Sequence, residues 1–288
     1  KTLLFSFLIA LYTSSAMAKV AHLLPKPQYV HTETPRKSFS LNRKIQVKSA
    51  VKCWYLEQFL NNHKVKVDSS SSVCIEVLLV DSIKNTFDYE LSGYENESYS
   101  LKVQANKITI KVVSQVGVIR AVQTLEQLSE GTPNNSLIEC VEIVDYPAFK
   151  LRGFMHDTGR SYISIEDLKT QIRLLSRFKI NTFHWHLTEN QAWRFEVKAY
   201  PQLTNASAMT RHKGLFYTQE ECTSLEKYAK MHGITIIPEI DMPGHSNAFV
   251  RAMGHDMQTD EGMKELKVIL KEVAQTFPDA PFIHIGAD

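Results

Sequence analysis

Between Leu151 and the C-terminus, four apolar segments of strand length are each followed by ionisable residues, and helical stretches separate them. The strand-like segments cover residues 152–155, 181–187, 234–240 and 282–285. Ser164, with Asp167 three residues on, caps a helix whose apolar residues fall at 165, 168, 172, 175 and 178. Thr218 and Glu221 form a capping box for a second helix that runs to His232, where Gly233 stops it. Residues 262–277 make the third. Strands that alternate with helices in this way require a parallel sheet. The segment 234–240 is almost wholly apolar, as a strand covered on both faces must be.

The polar residues after the strands narrow the architecture further. Asp157 and Arg160 follow the first (H-D-T-G-R), and His184, Trp185, His186 and Glu189 close the second. Glu239, Asp241 and His245 follow the third (P-E-I-D-M-P-G-H), and His284 and Asp288 the fourth (H-I-G-A-D). One such group is weak evidence, because capping Asp and buried His are common. Four in succession, all at C-terminal strand ends, match the active-site arrangement of a (β/α)₈ barrel. A doubly wound sheet would bring only its switch-point strands to one crevice. No G-x-G-x-x-G follows a strand and no P-loop is present, so no nucleotide cofactor is expected.

The first half reads differently. Residues 73–80, 98–104 and 107–113 carry β-branched and aromatic residues in short alternating runs, and residues 52–61 and 117–128 have helical spacing. An α+β domain over 19–146 is expected, ahead of a barrel segment over 147–288. Residues 1–18 begin with Lys1, continue through T-L-L-F-S-F-L-I-A-L-Y and end Ala16-Met17-Ala18. A basic start, a short apolar core and a small-x-small ending make a signal peptide cleaved after Ala18. The protein is therefore expected to be exported, periplasmic or secreted, with no membrane association after cleavage. Cys53, Cys74, Cys140 and Cys222 show no metal-type spacing and read as small buried residues, although a Cys53–Cys74 bridge stays open. With 33 Lys+Arg against 31 Asp+Glu, no nucleic-acid partner is expected.

These residue types suit carboxylate chemistry with a cationic anchor. An arginine fork holds two hydroxyls at fixed geometry, and neighbouring carboxylates shift one another's pKa and divide roles. In order and spacing, R-G-F-M-H-D-T-G-R, F-H-W-H-L-T-E-N-Q-A-W-R, I-P-E-I-D-M-P-G-H and H-I-G-A-D resemble family 20 glycoside hydrolases, the exo-acting β-N-acetylhexosaminidases. G-V-I-R-A-V-Q-T-L-E-Q-L at 117–128 resembles the end of that family's preceding α+β domain.

The resemblance implies an α/β fold: an α+β domain, then the first four βα units of a TIM barrel. It implies that Arg160 binds the 3- and 4-hydroxyls of a terminal N-acetylhexosamine, and that Asp241 and His245 line the pocket; Asp157, which could equally cap or pair with Arg160, and Glu189, whose role stays open, join them as candidate substrate-binding residues. Asp288 would orient the substrate's 2-acetamido group, whose carbonyl oxygen attacks the anomeric carbon without an enzyme nucleophile. No cofactor and no metal are implied, and the partners are N-acetylhexosamine-containing glycans.

Two departures stand out. The family's H-W-H-x-x-D-D-Q is H-W-H-L-T-E-N-Q here, with Glu189 and Asn190 replacing the acidic pair. The chain also stops at Asp288, one residue before the glutamate that serves the family as general acid and base. Residues 151–288 hold four strands where a complete barrel takes about 250 residues. An inactive fragment is therefore expected. Two other readings stay open. One is a metal-dependent amidohydrolase, for which His184-x-His186 imitates a ligand pair. The other is a non-catalytic glycan-binding protein.

Overall fold

The computed structural model describes residues 22–32, 37–83 and 95–288. The expected signal peptide lies outside the described residues. The chain divides into two compact units, Lys1–Lys150 and Leu151–Asp288.

In the first unit, alternating sequences make strands with one apolar face. They are β1 (Tyr29–Thr32), β2 (Ser38–Ser40), β3 (Lys44–Ser49), β4 (Lys66–Val67), β5 (Cys74–Leu79), β6 (Tyr99–Gln104), β7 (Lys107–Val112), β8 (Leu137–Glu139) and β9 (Val141–Asp145). In β7, Ile108, Ile110 and Val112 are buried while Lys107, Thr109 and Lys111 face away. Seven strands pair in the order β1-β9-β6-β7-β5-β3-β4, and β2 pairs with β8. Helices α1 (Trp54–Asn62) and α2 (Gln115–Ser129) add Leu56, Phe59, Val118, Val122 and Leu125 to the same core. The Ser114 side chain caps α2 by accepting from the Val116 N–H. All four cysteines are free, so Cys53 and Cys74 form no bridge.

The second unit is an α/β structure. Its strands are β10 (Gly153–Asp157), β11 (Thr182–His186), β12 (Thr235–Met242) and β13 (His284–Gly286), all parallel and paired in chain order. Between them run α3 (Ile165–Arg177), α4 (Gln219–Met231), α5 (Asn247–Met253) and α6 (Asp260–Thr276). Both expected caps form. Ser164 accepts from the Asp167 N–H, and Thr218 and Glu221 close a reciprocal capping box. Helices and sheet meet around Leu168, Ile172, Phe183, Trp185, Ile236, Ile269 and Val273.

The structure amends three details of the sequence reading. β10 extends through Asp157, so this carboxylate stands on the strand rather than after it. β12 runs on to Met242, which places Asp241 within the strand beside Glu239. The short helix α5 was not expected, because its seven residues are too few to show a helical period.

Candidate active site

The register of the parallel sheet assembles the site. Asp157 pairs with His186, His186 with Glu239, and Glu239 with His284, so one ionisable residue from each strand stands in a single row. Alternation puts every second residue on the same face, and His184 and Asp241 follow from that spacing.

Glu239 is the hub of the row. Its side chain is 4% exposed, and its Oε2 lies 2.6 Å from His186 Nδ1 and 2.9 Å from His184 Nε2. His284 Nδ1 lies 3.1 Å from Oε1. Burial alone pushes the Glu239 carboxyl up, but hydrogen bonds from His184 and His186 outweigh it and hold the pKa well below the usual range. Burial pushes His186 down, yet its bond to Glu239 wins and leaves its pKa raised. His184 and His284 are thus tied to one anion. Asp241 sits beside them, 3% exposed, and its pKa is raised by burial first and then by Asp288 and Glu239.

Above this row stands Arg160. Its Nη1 bonds Asp157 Oδ2, and its backbone N–H donates to Asp157 Oδ1 at 2.9 Å. Its Nη2 reaches Glu189 Oε1 at 2.5 Å. Glu189 is 1% exposed and also bonds His245 Nδ1. His245 Nε2 in turn meets Asp288 Oδ2 at 3.0 Å. The side chains of Asp157, Arg160, Glu189, His245 and Asp288 therefore form one chain of contacts at the C-terminal ends of the strands. Arg160, 45% exposed, and Asp288, 66% exposed, are its solvent-facing members. The hydrogen bond from Arg160 to Asp157 also raises the guanidinium pKa, so the anchor is permanently charged.

The backbone is shaped for these contacts. Gly286 has φ +66°, and a Cβ there would fall 1.7 Å from Asp241 Oδ1. Ala287 follows at φ +76°, so the chain turns sharply to deliver Asp288. The Gly244 N–H donates to the Asp288 carbonyl at 3.1 Å, and a Cβ on Gly244 would meet that oxygen at 2.5 Å.

The Glu189-Asn190 departure has a structural account. The longer Glu189 spans Arg160 and His245 together, while Asn190 turns away: its Oδ1 accepts from the Asn247 N–H at 3.2 Å and its carbonyl from Arg251. Trp185 and Trp193 are 0% and 1% exposed and Tyr217 packs on Trp185, so all three belong to the core. Trp54 packs against the core of the first unit. Among the described residues, three sets could share a cation by proximity: His184/Glu239/His284, His186/Glu239/Asp241 and Asp241/His245/Asp288. Sequence reasoning placed Glu239 at a strand end without a role, because the convergence of three histidines on it depends on register.

A row of carboxylates and imidazoles beneath an exposed arginine fork can bind sugar hydroxyls and stabilise developing positive charge. Comparisons agree in kind. A family model described as glycosyl hydrolase family 20, catalytic domain, matches residues 149–268, and one described as domain 2 of that family matches 21–146. A beta-hexosaminidase of Vibrio furnissii is 37% identical over 66% of this chain and 37% of its own length. One of Porphyromonas gingivalis is 37% identical over 77% of this chain and 36% of its own length. The chain thus spans little more than a third of these relatives. The Vibrio harveyi GH20 exo beta-N-acetylglucosaminidase, solved in complex with N-acetylglucosamine, superposes with a TM-score of 0.76 at 30% identity, over 94% of this chain and 47% of that one.

Proposed function

This chain belongs to glycosyl hydrolase family 20, and we propose that the protein containing it is an exo-acting β-N-acetylhexosaminidase. The observation that carries the reading is the continuous contact chain Asp157–Arg160–Glu189–His245–Asp288 at the C-terminal ends of four parallel strands. In this reading residues 151–288 are the first four βα units of a (β/α)₈ barrel. Arg160, braced by two carboxylates, holds the 3- and 4-hydroxyls of a terminal, non-reducing β-linked GlcNAc or GalNAc.

Asp288 receives the acetamido N–H. The acetamido carbonyl oxygen attacks the anomeric carbon as the glycosidic C–O bond breaks, and the leaving oxygen takes a proton from a general acid. Positive charge develops on the resulting oxazolinium, and the Asp288 carboxylate stabilises it. Water then attacks the same carbon, gives its proton back to the acid, and reopens the ring with net retention. His245, between Glu189 and Asp288, fixes the Asp288 carboxylate. By the family's motif the general acid is a glutamate directly after Asp288. Residues 1–18 act as an export signal.

The test is release of 4-nitrophenol from 4-nitrophenyl N-acetyl-β-D-glucosaminide by the intact protein, with and without EDTA. Release unaffected by EDTA supports the proposal. Activity lost to chelation and restored by Zn²⁺ would instead favour a metal-dependent amidohydrolase. Sugar binding without release would mark a glycan-binding protein.

A further inference from the structure

The H-W-H-L-T-E-N-Q-A-W-R motif ends in a residue that no role above uses. Arg194 is 0% exposed, yet among the described residues no carboxylate pairs with its guanidinium. Its donors go to main-chain carbonyls instead. Nε donates to Thr158 O at 3.1 Å, and Nη2 reaches Gly159 O at 3.5 Å. On the other side Nη2 donates to Arg211 O at 2.8 Å, and Nη1 to His212 O at 2.8 Å and Leu215 O at 2.7 Å. Nη1 also contacts Met209 Sδ at 3.3 Å, and the group lies 5.9 Å from the Tyr162 ring centroid.

Two separate segments therefore meet on one buried cation. The first is the Thr158–Gly159 turn that carries Arg160 away from β10. The second is the loop 209–215, which includes His212 in a left-handed conformation at φ +48°. Burying an unpaired guanidinium is costly unless its donors are all engaged. A planar fork with five donors meets that condition here, and it ties together two stretches of backbone through their carbonyls.

We propose that Arg194 is a positioning residue for the sugar anchor: its guanidinium fixes the turn that aims Arg160 and locks the 209–215 loop against it. The inference rests on Arg160 being the sugar-binding arginine. Arg194 touches no substrate and acts through Arg160 alone.

Arg194→Lys tests it, because lysine keeps the charge but offers a point donor that cannot span both segments. Val273→Ala, in the core of the same unit, serves as a control for general destabilisation. Hydrogen exchange in the intact protein reads the turn directly. The Thr158 and Gly159 N–H groups donate to His186 O at 3.0 and 3.3 Å, and the Arg160 N–H to Asp157. Exchange at these three amides should speed up by about tenfold or more in Arg194→Lys and stay at the parental rate in Val273→Ala. KM for the 4-nitrophenyl glycoside should rise about tenfold in Arg194→Lys with kcat within about threefold, since ground-state binding is what Arg160 supplies.

Unchanged exchange at residues 158–160 overturns the proposal. So does an unchanged KM despite faster exchange, or a KM that rises equally in Val273→Ala. If the parent itself releases no sugar, the activity reading falls, while the exchange comparison still decides whether Arg194 is the clamp.

Discussion

The two units handle buried polar groups in opposite ways. In the first, each is answered locally. The Tyr99 hydroxyl bonds Thr124 at 2.6 Å and Asp145 at 3.0 Å, and Arg120 Nε meets Glu97 at 2.7 Å. In the second, Glu189, Glu239 and Asp241 are all nearly inaccessible and crowd toward the same strand ends, with His186 among them. Closed pairs serve folding, because each satisfies a group that burial would otherwise penalise. Convergent charges raise and lower one another's pKa, and that is a cost a fold carries where chemistry is done. If the proposed function holds, the seven-stranded unit is a support and the parallel unit carries the reaction.

The largest effect that could break this contrast comes from Asp288. In the intact protein Asp288→Asn keeps the size of the side chain but presents an amide to the acetamido N–H. Losing one preorganised contact to a developing charge costs on the order of 10²–10³ in rate, so kcat on the 4-nitrophenyl glycoside should fall by that much. A kcat within a few-fold of the parent would remove Asp288 from the mechanism.

Next comes Glu239→Gln, which takes the anion from three histidines. Removing one partner from so buried a cluster should destabilise the protein by about 3 kcal/mol at mildly acidic pH. The pH dependence follows from the direction of each shift. Glu239 is held below its ordinary value, so its contribution is present above about pH 4.3 and is lost as pH falls through the folded pKa. His186 is held above its ordinary value, so its contribution is present below about pH 6.5 and is lost as pH rises through the folded pKa. The stability difference between parent and Glu239→Gln should therefore peak between about pH 4.5 and 6.5. A difference in melting temperature that is flat from pH 4 to 8 would show that Glu239 and His186 are not coupled.

Arg160→Lys is expected to act on binding. A point charge replaces a planar fork that two carboxylates brace, so KM should rise about tenfold with a smaller change in kcat. The smallest effect lies in the other unit. Tyr99→Phe removes one buried hydroxyl and should cost about 1 kcal/mol of stability with KM and kcat unaltered, as thermal melts and kinetics would show. A loss of activity at Tyr99 larger than the loss of fold would mean that the first unit is more than a support.

Much of this contrast is legible in the sequence. The capping residues Ser164 and Thr218 and the apolar strand at 234–240 read directly, because caps and periodicity are local signals. The motif residues Asp157, Arg160, Asp241, His245 and Asp288 could be named from their place near the C-terminal ends of strands, although Asp157 and Asp241 stand on the strands themselves. Partnerships across strands could not. Glu189 bridging Arg160 and His245, Glu239 gathering three histidines, and Arg194 joining two loops all depend on register and on turns, which carry no local signature. The same holds for Gly286, whose sequence neighbours give no hint that Asp241 occupies the space of its missing side chain.

In the proposed mechanism the substrate's own acetamido group, held by Asp288, does the work of a nucleophile. That role is tested most directly by comparing two substrates of the intact protein that differ only at carbon 2. One is the 4-nitrophenyl β-glycoside bearing a 2-acetamido group, and the other bears a 2-hydroxyl. Substrate-assisted cleavage predicts rapid release from the first and release at least about 10³-fold slower from the second, since the attacking oxygen is gone. Comparable rates on both would contradict the account and point to a nucleophile supplied by the protein.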